Sequence, residues 1–465
     1  MRNVILLLLL LLFAPSVNGE RYFFRIWLTD KVGTKYSTER PKEFLSGKSV
    51  ERRIKQGIKI TETDLPLSDV YVGEILKLSG REVCHSNWMN TLVVESSDSL
   101  FASVLDNLPF VKDVEKVFEE PYYKTEQSEE PVYFGRIKSG AKNGDYGDAL
   151  MQIEVHGGDK LHKEGFRGEG VTIAVLDGGF KNVNILPEYF DIARIAGTRD
   201  FVNPGGDLFL EHLHGENILS LMLACKKGSF IGTAPHADYY LLRTEEYNTE
   251  FPCEEDRWVR GAEYADSLGV DIIISSLGYT VFDNKKHQYT NKDLNGKTAF
   301  SSRGATIAAR TGIIVITSAG NERGKTWHKI TFPGDADSIL TVGGIDRDME
   351  VSEFSSRGYR NSNKVKPDVM ALATSTALVK EDGSITTSNG SSFATPIIAG
   401  LTACLWQALP HLNAQQIIAL IRRHSNNFYS ADEDRGYGVP NFYSAYKAAV
   451  NDTANIKHNT STINR

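Results

Sequence analysis

From about residue 148 onward, short apolar runs rich in β-branched residues alternate with helical stretches, and this alternation constrains the fold most. The runs that predict strands are 171–176, 239–242, 271–275, 313–317, 339–343 and 368–372. The stretches that predict helices are 218–225, 257–267, 301–311, 393–409 and 414–424. Such alternation predicts an α/β fold, a doubly wound parallel sheet with helices on both faces. Its chemistry is expected at the carboxyl ends of the strands.

The first residues are typical of a signal peptide. Arg2 gives a positive start, residues 4–13 form an apolar run, and small or tolerated residues precede a cut ahead of Glu20. The run is too short to span a bilayer comfortably, and no later run is long enough to do so. We therefore predict a signal peptide over 1–19, a secreted or periplasmic protein, and no stable membrane span after signal removal.

The rest of the chain divides into two folded units and two polar segments. Strand and helix patterns in the order strand, helix, strand, helix, strand predict a small α+β unit in the first part of the chain. A stretch rich in Gly, Lys and Ser predicts an exposed linker after it. The predicted boundaries are 20–134 for the small unit, 135–147 for the linker, 148–450 for the large domain and 451–465 for a loose polar tail.

Charge and cysteine content argue against two classes of site. The formal net charge is −7, from 52 basic and 59 acidic residues, so no basic stripe favours nucleic acid as a partner. The four cysteines lack the paired spacing of a zinc or redox motif. Export allows a disulfide, with Cys225 and Cys253 the closest pair in the large domain. Four free thiols are the alternative.

Three segments occur in an order suited to nucleophilic catalysis. Asp177 directly follows the apolar run 171–176 and so lies at the tip of a buried strand. His214 precedes a glycine and a helical run, and Ser392 begins a helix after Gly390. A serine hydroxyl is a poor nucleophile at its own pKa and needs an adjacent base that an acid orients. These three residues are therefore the predicted catalytic group.

Each of these residues alone has an ordinary structural explanation, such as a loop cap or a solvated histidine. His156 also precedes a glycine and His212 lies in the same loop as His214, but neither is followed by an apolar helical run. The segment 389–400 is the most specific of the three. Its Pro396 is predicted to fall in the first helical turn, where proline is tolerated.

Six ordered segments make the region 148–450 resemble the subtilisin family of serine proteases. Three resemble the family's Asp, His and Ser motifs: Asp177-Gly178-Gly179, His214-Gly215-Glu216 and Gly390-Ser391-Ser392-Phe393-Ala394-Thr395-Pro396. Three more resemble its substrate-pairing strand, its oxyanion-hole segment and its Gly-x-Ala-Pro turn: Ser276-Leu277-Gly278, Ser318-Ala319-Gly320-Asn321 and Gly232-Thr233-Ala234-Pro235. Gly178 and Glu216 depart from the family pattern, and Glu216 is expected to add a carboxylate near the histidine that raises its pKa.

The resemblance implies a serine endopeptidase that acts on proteins or peptides. By it, Ser392 attacks the peptide carbonyl, His214 transfers the proton and Asp177 orients the imidazole. Asn321 and the backbone N–H of Ser392 would hold the oxyanion. The substrate backbone would lie along Ser276, Leu277 and Gly278.

Residues 20–134 resemble, more loosely, the N-terminal prosegments of secreted bacterial subtilases. This implies a latent precursor in which the prodomain blocks the cleft and the linker 135–147 is the place of release. Members of the family often bind calcium, but no loop here has the regular alternation of carboxylates that would identify ligands. No metal residue or other cofactor is therefore assigned.

Two other functions are weighed against the endopeptidase. A catalytically silent subtilase fold could serve as a protein- or peptide-binding module, but such a protein is free to lose the triad and Asn321, which are intact here. A serine esterase commonly has a Gly-x-Ser-x-Gly elbow and the order Ser, Asp, His. The order here is Asp, His, Ser.

Overall fold

The structure is a computed structural model that describes residues 20–120, 144–360 and 364–463. The predicted signal peptide and residues 135–143 of the predicted linker lie outside these ranges. None of the helices in the described ranges is long and apolar enough to cross a membrane.

The N-terminal unit is a four-stranded antiparallel sheet in the order β2-β3-β1-β4, with three helices. Its elements are β1 Arg21–Leu28, α1 Gly47–Gln56, α2 Asp69–Ser79, β2 Arg81–Ser86, β3 Thr91–Ser96, α3 Ala102–Leu105 and β4 Val111–Glu120. The three predicted strands and two predicted helices are present. The pattern missed β2, because its first residues are exposed and it lacks a continuous apolar run, and it missed α2.

The large domain contains a seven-stranded parallel sheet. In chain order, the strands of the whole large domain are β5 Thr172–Asp177, β6 Ile195–Asp200, β7 Cys225–Lys226, β8 Phe230–Ile231, β9 Asp238–Arg243, β10 Ile272–Ser275, β11 Ile314–Ser318, β12 Leu340–Ile345, β13 Tyr359–Arg360, β14 Val365–Lys366, β15 Val369–Leu372, β16 Thr376–Val379 and β17 Ile385–Ser388. The six that are not in the seven-stranded sheet form three short antiparallel pairs, β7 with β8, β13 with β14 and β16 with β17. The sheet order is β15-β12-β11-β10-β5-β9-β6, and every pairing is parallel. All six predicted strands lie in this sheet. The seventh strand, β6, lies at the edge of the sheet. Its first residues alternate between half-buried and exposed positions, so the sequence has no continuous apolar run there.

Helices cover both faces of this sheet, as predicted. They are α4 Leu150–Glu154, α5 Gly158–Lys163, α6 His214–Leu223, α7 Pro252–Leu268, α8 Phe300–Arg310, α9 Ser391–Ala408, α10 Ala414–Arg423 and α11 Phe442–Ile463. Alternate residues of β5 enter opposite cores: Ile173 and Val175 pack in the cluster with α6 and α9, whereas Ala174 and Leu176 pack in the cluster with α7 and α8. This alternation is what a strand buried on both faces requires.

The end of the chain differs from its sequence interpretation. The polar segment from residue 451 was predicted to be a loose tail, but α11 continues to Ile463. This part of the helix contains neither proline nor glycine to end it. All four cysteines are free thiols, three buried and Cys225 exposed. Of the two alternatives that the sequence left open, the structure therefore has the free thiols and not a disulfide between Cys225 and Cys253.

Candidate active site

Asp177 ends β5 in the middle of the sheet, at its carboxyl edge. The side chain is fully buried, and its Oδ1 accepts the backbone N–H of Gly178 at 2.8 Å. Arg243, at the end of the neighbouring strand β9, donates from Nε to the carbonyl of Gly178 at 3.0 Å. The turn after the acid is thus fixed from two sides, which leaves the carboxylate oriented for an external partner.

His214 is that partner, because it begins α6 and directs Nδ1 at the carboxylate. Its Nδ1 lies 3.0 Å from both Oδ1 and Oδ2 of Asp177. The glycine that follows allows this approach: a Cβ on Gly215 would lie 2.2 Å from the carbonyl oxygen of Gly179 and 3.0 Å from the Cβ of Asp177. The His-Gly pair is therefore a steric requirement of the close approach between α6 and β5.

The surroundings keep His214 basic. Burial lowers the pKa of His214, but the charge of Asp177, the hydrogen bond to it and the charge of Glu245 outweigh burial and raise it above 6.5. Glu216, which the sequence placed near the histidine, is fully buried and is influenced by Glu381 and Asp382 instead. The carboxylate beyond Asp177 that raises the histidine pKa is therefore Glu245, not Glu216.

The two alternatives to His214, which are His156 and His212, have surroundings that fit a structural role. His156 is fully buried, its Nδ1 contacts the carbonyl of Pro440 at 2.9 Å, and burial lowers its pKa to about 4. His212 stacks on Tyr247 with ring centroids 3.3 Å apart, and its Nδ1 accepts the backbone N–H of His214 at 3.2 Å. His212 thus supports the loop that carries His214.

Ser392 lies in the first turn of α9. The ring of the next residue, Phe393, has its centroid 6.2 Å from that of His214. The Ser392 hydroxyl donates to the carbonyl of Ser276 at 3.2 Å, and no hydrogen bond joins it to His214 within the described part of the chain. Catalytic hydrogen bonds are often long or misaligned before substrate binds.

Pro396 does not fall in the first turn of α9, as the sequence predicted, but inside the helix. Because proline has no N–H, the carbonyl four residues earlier, that of Ser392, loses its helical donor. The hydroxyl of Ser276 replaces that donor at 2.9 Å. Ser276 and Ser392 therefore exchange two contacts, and Ser276 fixes the backbone that carries the predicted nucleophile.

We expect Ser276→Ala to lower kcat about tenfold, because it leaves the carbonyl of Ser392 without its only side-chain donor in the described residues, and a lost donor costs about 1–3 kcal/mol. Steady-state kinetics on a quenched peptide measure this. Ser275→Ala is the matched control: its hydroxyl accepts from Trp258 Nε1 at 2.9 Å, and no hydrogen bond joins that hydroxyl to α9 within the described residues. Equal losses in both variants would contradict the positioning role.

Asn321 follows β11 and faces the start of α9. Its Oδ1 accepts the backbone N–H of Ser391 at 2.9 Å and the Ser391 hydroxyl at 3.0 Å. These two donors fix the orientation of the amide, so its NH₂ group is the part that remains to donate. The N–H of Ser392, in the first helical turn, has no helical acceptor. Two donors suited to an oxyanion thus lie on adjacent segments.

The segment predicted to bind the substrate backbone follows β10. Leu277 is half-buried and Gly278 is exposed. A Cβ on Gly278 would lie 2.2 Å from Thr331 Oγ1, so only glycine fits. The next residue, Tyr279, exchanges backbone hydrogen bonds with Phe332 at 2.9 and 3.1 Å, which fixes the segment along one side of the cleft.

The sequence reasoning missed Glu245 and Tyr279. Glu245 lies two residues after β9, at the carboxyl edge where functional groups are expected, and that position was the available signal. A Cβ on Gly178 would lie 3.6 Å from the Cβ of Glu245. The Tyr279 hydroxyl donates to Glu245 Oε2 at 3.0 Å. Both residues therefore line the region next to Asp177.

The N-terminal unit docks on α7. Arg25 of β1 donates to both carboxylate oxygens of Asp256, at 2.6 and 2.7 Å, and both side chains are buried. Glu263 accepts the backbone N–H groups of Asn87 and Trp88 at 2.9 Å each. The indole of Trp88 joins the same apolar cluster as residues of α7. Charge pairs and apolar burial therefore act together at this contact.

A second charge cluster lies at the carboxyl end of α7. Asp266 pairs with Arg52 and with Arg53, the latter at 2.6 Å, and Arg53 also pairs with Asp64 at 2.9 Å. Arg52 donates to the carbonyl of Val270 at 2.6 Å. None of the four charged side chains is more than 8% exposed. Such groups stay charged at little cost only while all partners are in place.

Two curated bacterial proteases are similar to this chain over more than half of its length. Subtilisin DY of Bacillus licheniformis is 26% identical over 261 residues, which are 56% of this chain and 85% of that protein. Serine protease AprX of Bacillus subtilis (strain 168) is 28% identical over 315 residues, 61% of this chain and 65% of that protein.

Solved structures share the fold. MycP1 with its N-terminal propeptide removed has a TM-score of 0.50 at 20% identity, covering 64% of this chain and 96% of that one. MycP3 protease of the type VII (ESX-3) secretion system has a TM-score of 0.51 at 18% identity, covering 68% and 92%.

Two family descriptions match successive parts of the chain. Residues 23–131 match "Peptidase S8 propeptide domain, Bacteroidota", and residues 168–439, more than half of the chain, match "Subtilase family". The second match contains the seven-stranded sheet and the first contains the unit docked on α7. The chain therefore belongs to the subtilase family of serine endopeptidases and carries an S8 propeptide domain ahead of the peptidase domain.

Proposed function

We propose that this subtilase is an exported endopeptidase that cleaves proteins or peptides with Asp177, His214 and Ser392 as its triad. The observation that carries the proposal is the geometry of the first two: His214 Nδ1 lies 3.0 Å from both carboxylate oxygens of Asp177. The order Asp, His, Ser along the chain and the position of Ser392 at a helix start support it.

The mechanism follows from these groups. His214 removes the proton from the Ser392 hydroxyl as the oxygen attacks the peptide carbonyl, and later donates it to the leaving amine. Asp177 accepts the hydrogen bond from Nδ1, which sets the imidazole tautomer and stabilises its charged form. Asn321 and the N–H of Ser392 stabilise the oxyanion, and one such donor is worth about 2.7–4 kcal/mol.

The N-terminal unit is proposed to keep the precursor latent. It covers α7, the helix that follows the loop from β9, through buried ion pairs such as Arg25 with Asp256. Near the end of the β4 strand, Glu119 accepts a hydrogen bond from Asn284 of the large domain at 2.6 Å. The segment after β4 is proposed to be cut on activation, and the apolar run at the amino terminus is proposed to direct export.

A quenched-peptide assay with a fluorophosphonate tests the proposed function. Protein freed of its N-terminal unit is expected to cut inside the peptide, and the reagent to abolish cleavage. Hydrolysis that survives complete fluorophosphonate treatment would contradict a serine nucleophile. No cleavage of any peptide by folded, freed protein would favour the binding module instead.

The pH profile of kcat/KM reports the state of His214. The imidazole must be neutral to accept the serine proton, and its pKa in the folded protein is raised above 6.5 by Asp177 and Glu245. We therefore expect kcat/KM to fall as the pH drops through a value above 6.5. An acid limb centred below 6.5 would contradict this environment.

A further inference from the structure

Glu245 connects two parts of the candidate site. The residue before it, Thr244, donates its N–H to the carbonyl of Asp177 at 3.0 Å. The Tyr279 hydroxyl donates to Glu245 Oε2 at 3.0 Å. Glu245 is 8% exposed and Tyr279 is fully buried, so this hydrogen bond is shielded from water and strengthened. One side chain therefore joins the strand that ends in Asp177 to the segment proposed to bind the substrate.

Glu254 of α7 is the third member of this hydrogen-bond network. It is fully buried, and one of its oxygens lies within 4.8 Å of an oxygen of Glu245. The two side chains share a hydrogen bond. An ionised carboxylate can only accept, so this bond requires a proton on one of the two. Like charges this close also oppose ionisation of both groups. The pair is therefore expected to carry one proton.

The contacts of Glu254 place that proton on it. Its Oε1 accepts the backbone N–H of Phe251 and the hydroxyl of Thr249, each at 3.3 Å, whereas Oε2 accepts no hydrogen bond from the described residues. A buried carboxylate oxygen without a donor is costly, and a proton removes that cost. Burial and the neighbouring carboxylates also raise the pKa of Glu254 well above its usual range. Glu245, in contrast, accepts from Tyr279, which favours its charged form.

The titratable and charged groups that face Glu245 come from both sides of the cleft. They are Asp177 at the end of β5, His214 of α6, Glu250 of the β9–α7 loop, Cys253, Glu254 and Arg257 of α7, and Tyr279 after β10. Burial raises the pKa of Glu245 to about 7, although the charge of Arg257 opposes this rise. Glu245 is thus charged above neutral pH, where its charge raises the pKa of His214.

We propose that Glu245 is a positioning residue of the triad, held as a carboxylate by a protonated Glu254 and by the hydroxyl of Tyr279. Its charge would support the imidazolium that forms when His214 takes the serine proton. Its hydrogen bond to Tyr279 would keep the substrate-binding segment in place beside the triad acid. This inference rests on the proposed function, which gives His214 its role as the base.

The test measures the titration of His214 by NMR in full-length Ser392→Ala protein labelled with ¹³C at the histidine Cε1. The His214 signal is identified by its loss from protein that also carries His214→Gln. We expect Glu245→Gln to lower the pKa of His214 by about half a pH unit or more, because the amide keeps the shape and removes the charge. A purely structural role for Glu245 would leave this pKa unchanged. No cleavage is measured, so the result does not depend on peptidase activity.

Glu254→Gln separates the two carboxyl groups. Its amide NH₂ can donate to Glu245 as a protonated carboxyl does, so the pKa of His214 should stay near the parent value. If Glu254 carried the charge instead, Glu254→Gln would lower the pKa of His214 and Glu245→Gln would not, which would overturn the proposal.

Glu246→Gln is the matched control. This acid lies on the same loop, is about one third exposed and pairs with Arg243 at 3.7 Å, so its removal should hardly change the pKa of His214. The proposal is overturned if His214 titrates at the same pH in Glu245→Gln as in this control. If Glu245→Gln does not fold, Tyr279→Phe decides by the same comparison, because loss of the hydroxyl makes Glu245 easier to protonate and should also lower the pKa of His214.

Discussion

Ser392→Ala should lower kcat/KM for a quenched peptide about a million-fold, the size of effect found on removing the triad serine of subtilisin, a relative. The reason is chemical: alanine leaves no oxygen to form the acyl-enzyme intermediate, while the fold around it is kept. The small side chain fits the first turn of α9, so unfolding should occur at the same temperature or higher. Kinetics and thermal unfolding on the same preparation separate the two effects.

Thr402→Ala is the matched control for that loss. Thr402 lies on the same helix, is fully buried, and donates its hydroxyl to the carbonyl of Ile398 at 2.7 Å, away from the candidate site. Activity of this variant should stay within about tenfold of the parent protein, since the hydroxyl contributes only to stability. Ser392→Ala protein that keeps a thousandth of the parent activity after purification would contradict its role as nucleophile.

Asp266→Asn should release latency of the uncut precursor. In this variant the buried Arg52 loses its carboxylate partner, and Arg53 keeps only its ion pair with Asp64. Breaking a buried ion pair by removing one partner costs about 3–5 kcal/mol. If the N-terminal unit blocks the cleft, that loss should speed fluorophosphonate labelling of the precursor about a hundredfold or more, as measured by gel fluorescence over time.

Asp69→Asn is the control for Asp266→Asn, because it removes an ion pair that is exposed instead of buried. Asp69 pairs with Lys35 at 3.2 Å within the N-terminal unit, and both side chains are more than half exposed. Surface pairs contribute about 0–1 kcal/mol, so labelling should hardly change. Asp266→Asn precursor that is labelled as slowly as Asp69→Asn precursor would show that the α7 contact does not maintain latency.

The parts of the fold that periodicity predicts are those buried on both faces. Six of the seven strands gave continuous apolar runs, whereas β6 lies at the edge and alternates between exposed and half-buried residues. The contact between the two units could not be predicted, because Arg25 and Asp256 are 231 residues apart and nothing local marks them as partners. Long-range charge pairing of this kind is visible only in the folded chain.

The candidate site divides in the same way. Asp177, His214 and Ser392 follow from local rules, namely the tip of a strand and the starts of two helices. The compensation for Pro396 does not, since it depends on the hydroxyl of Ser276, which lies just after β10 and more than 100 residues away in the chain. Glu254 shows a further limit: its contact with the N–H of Phe251 is local, but its approach to Glu245 depends on the fold of the whole loop between β9 and α7.

Covalent labelling by a fluorophosphonate, with the modified residue located by mass spectrometry, shows whether Ser392 is the nucleophile and whether the N-terminal unit shields it, when it is done before and after proteolytic removal of that unit. We expect a single label on Ser392, absent from Ser392→Ala protein and much faster after removal of the unit. A label on another serine, or no label on folded protein in either state, would contradict it.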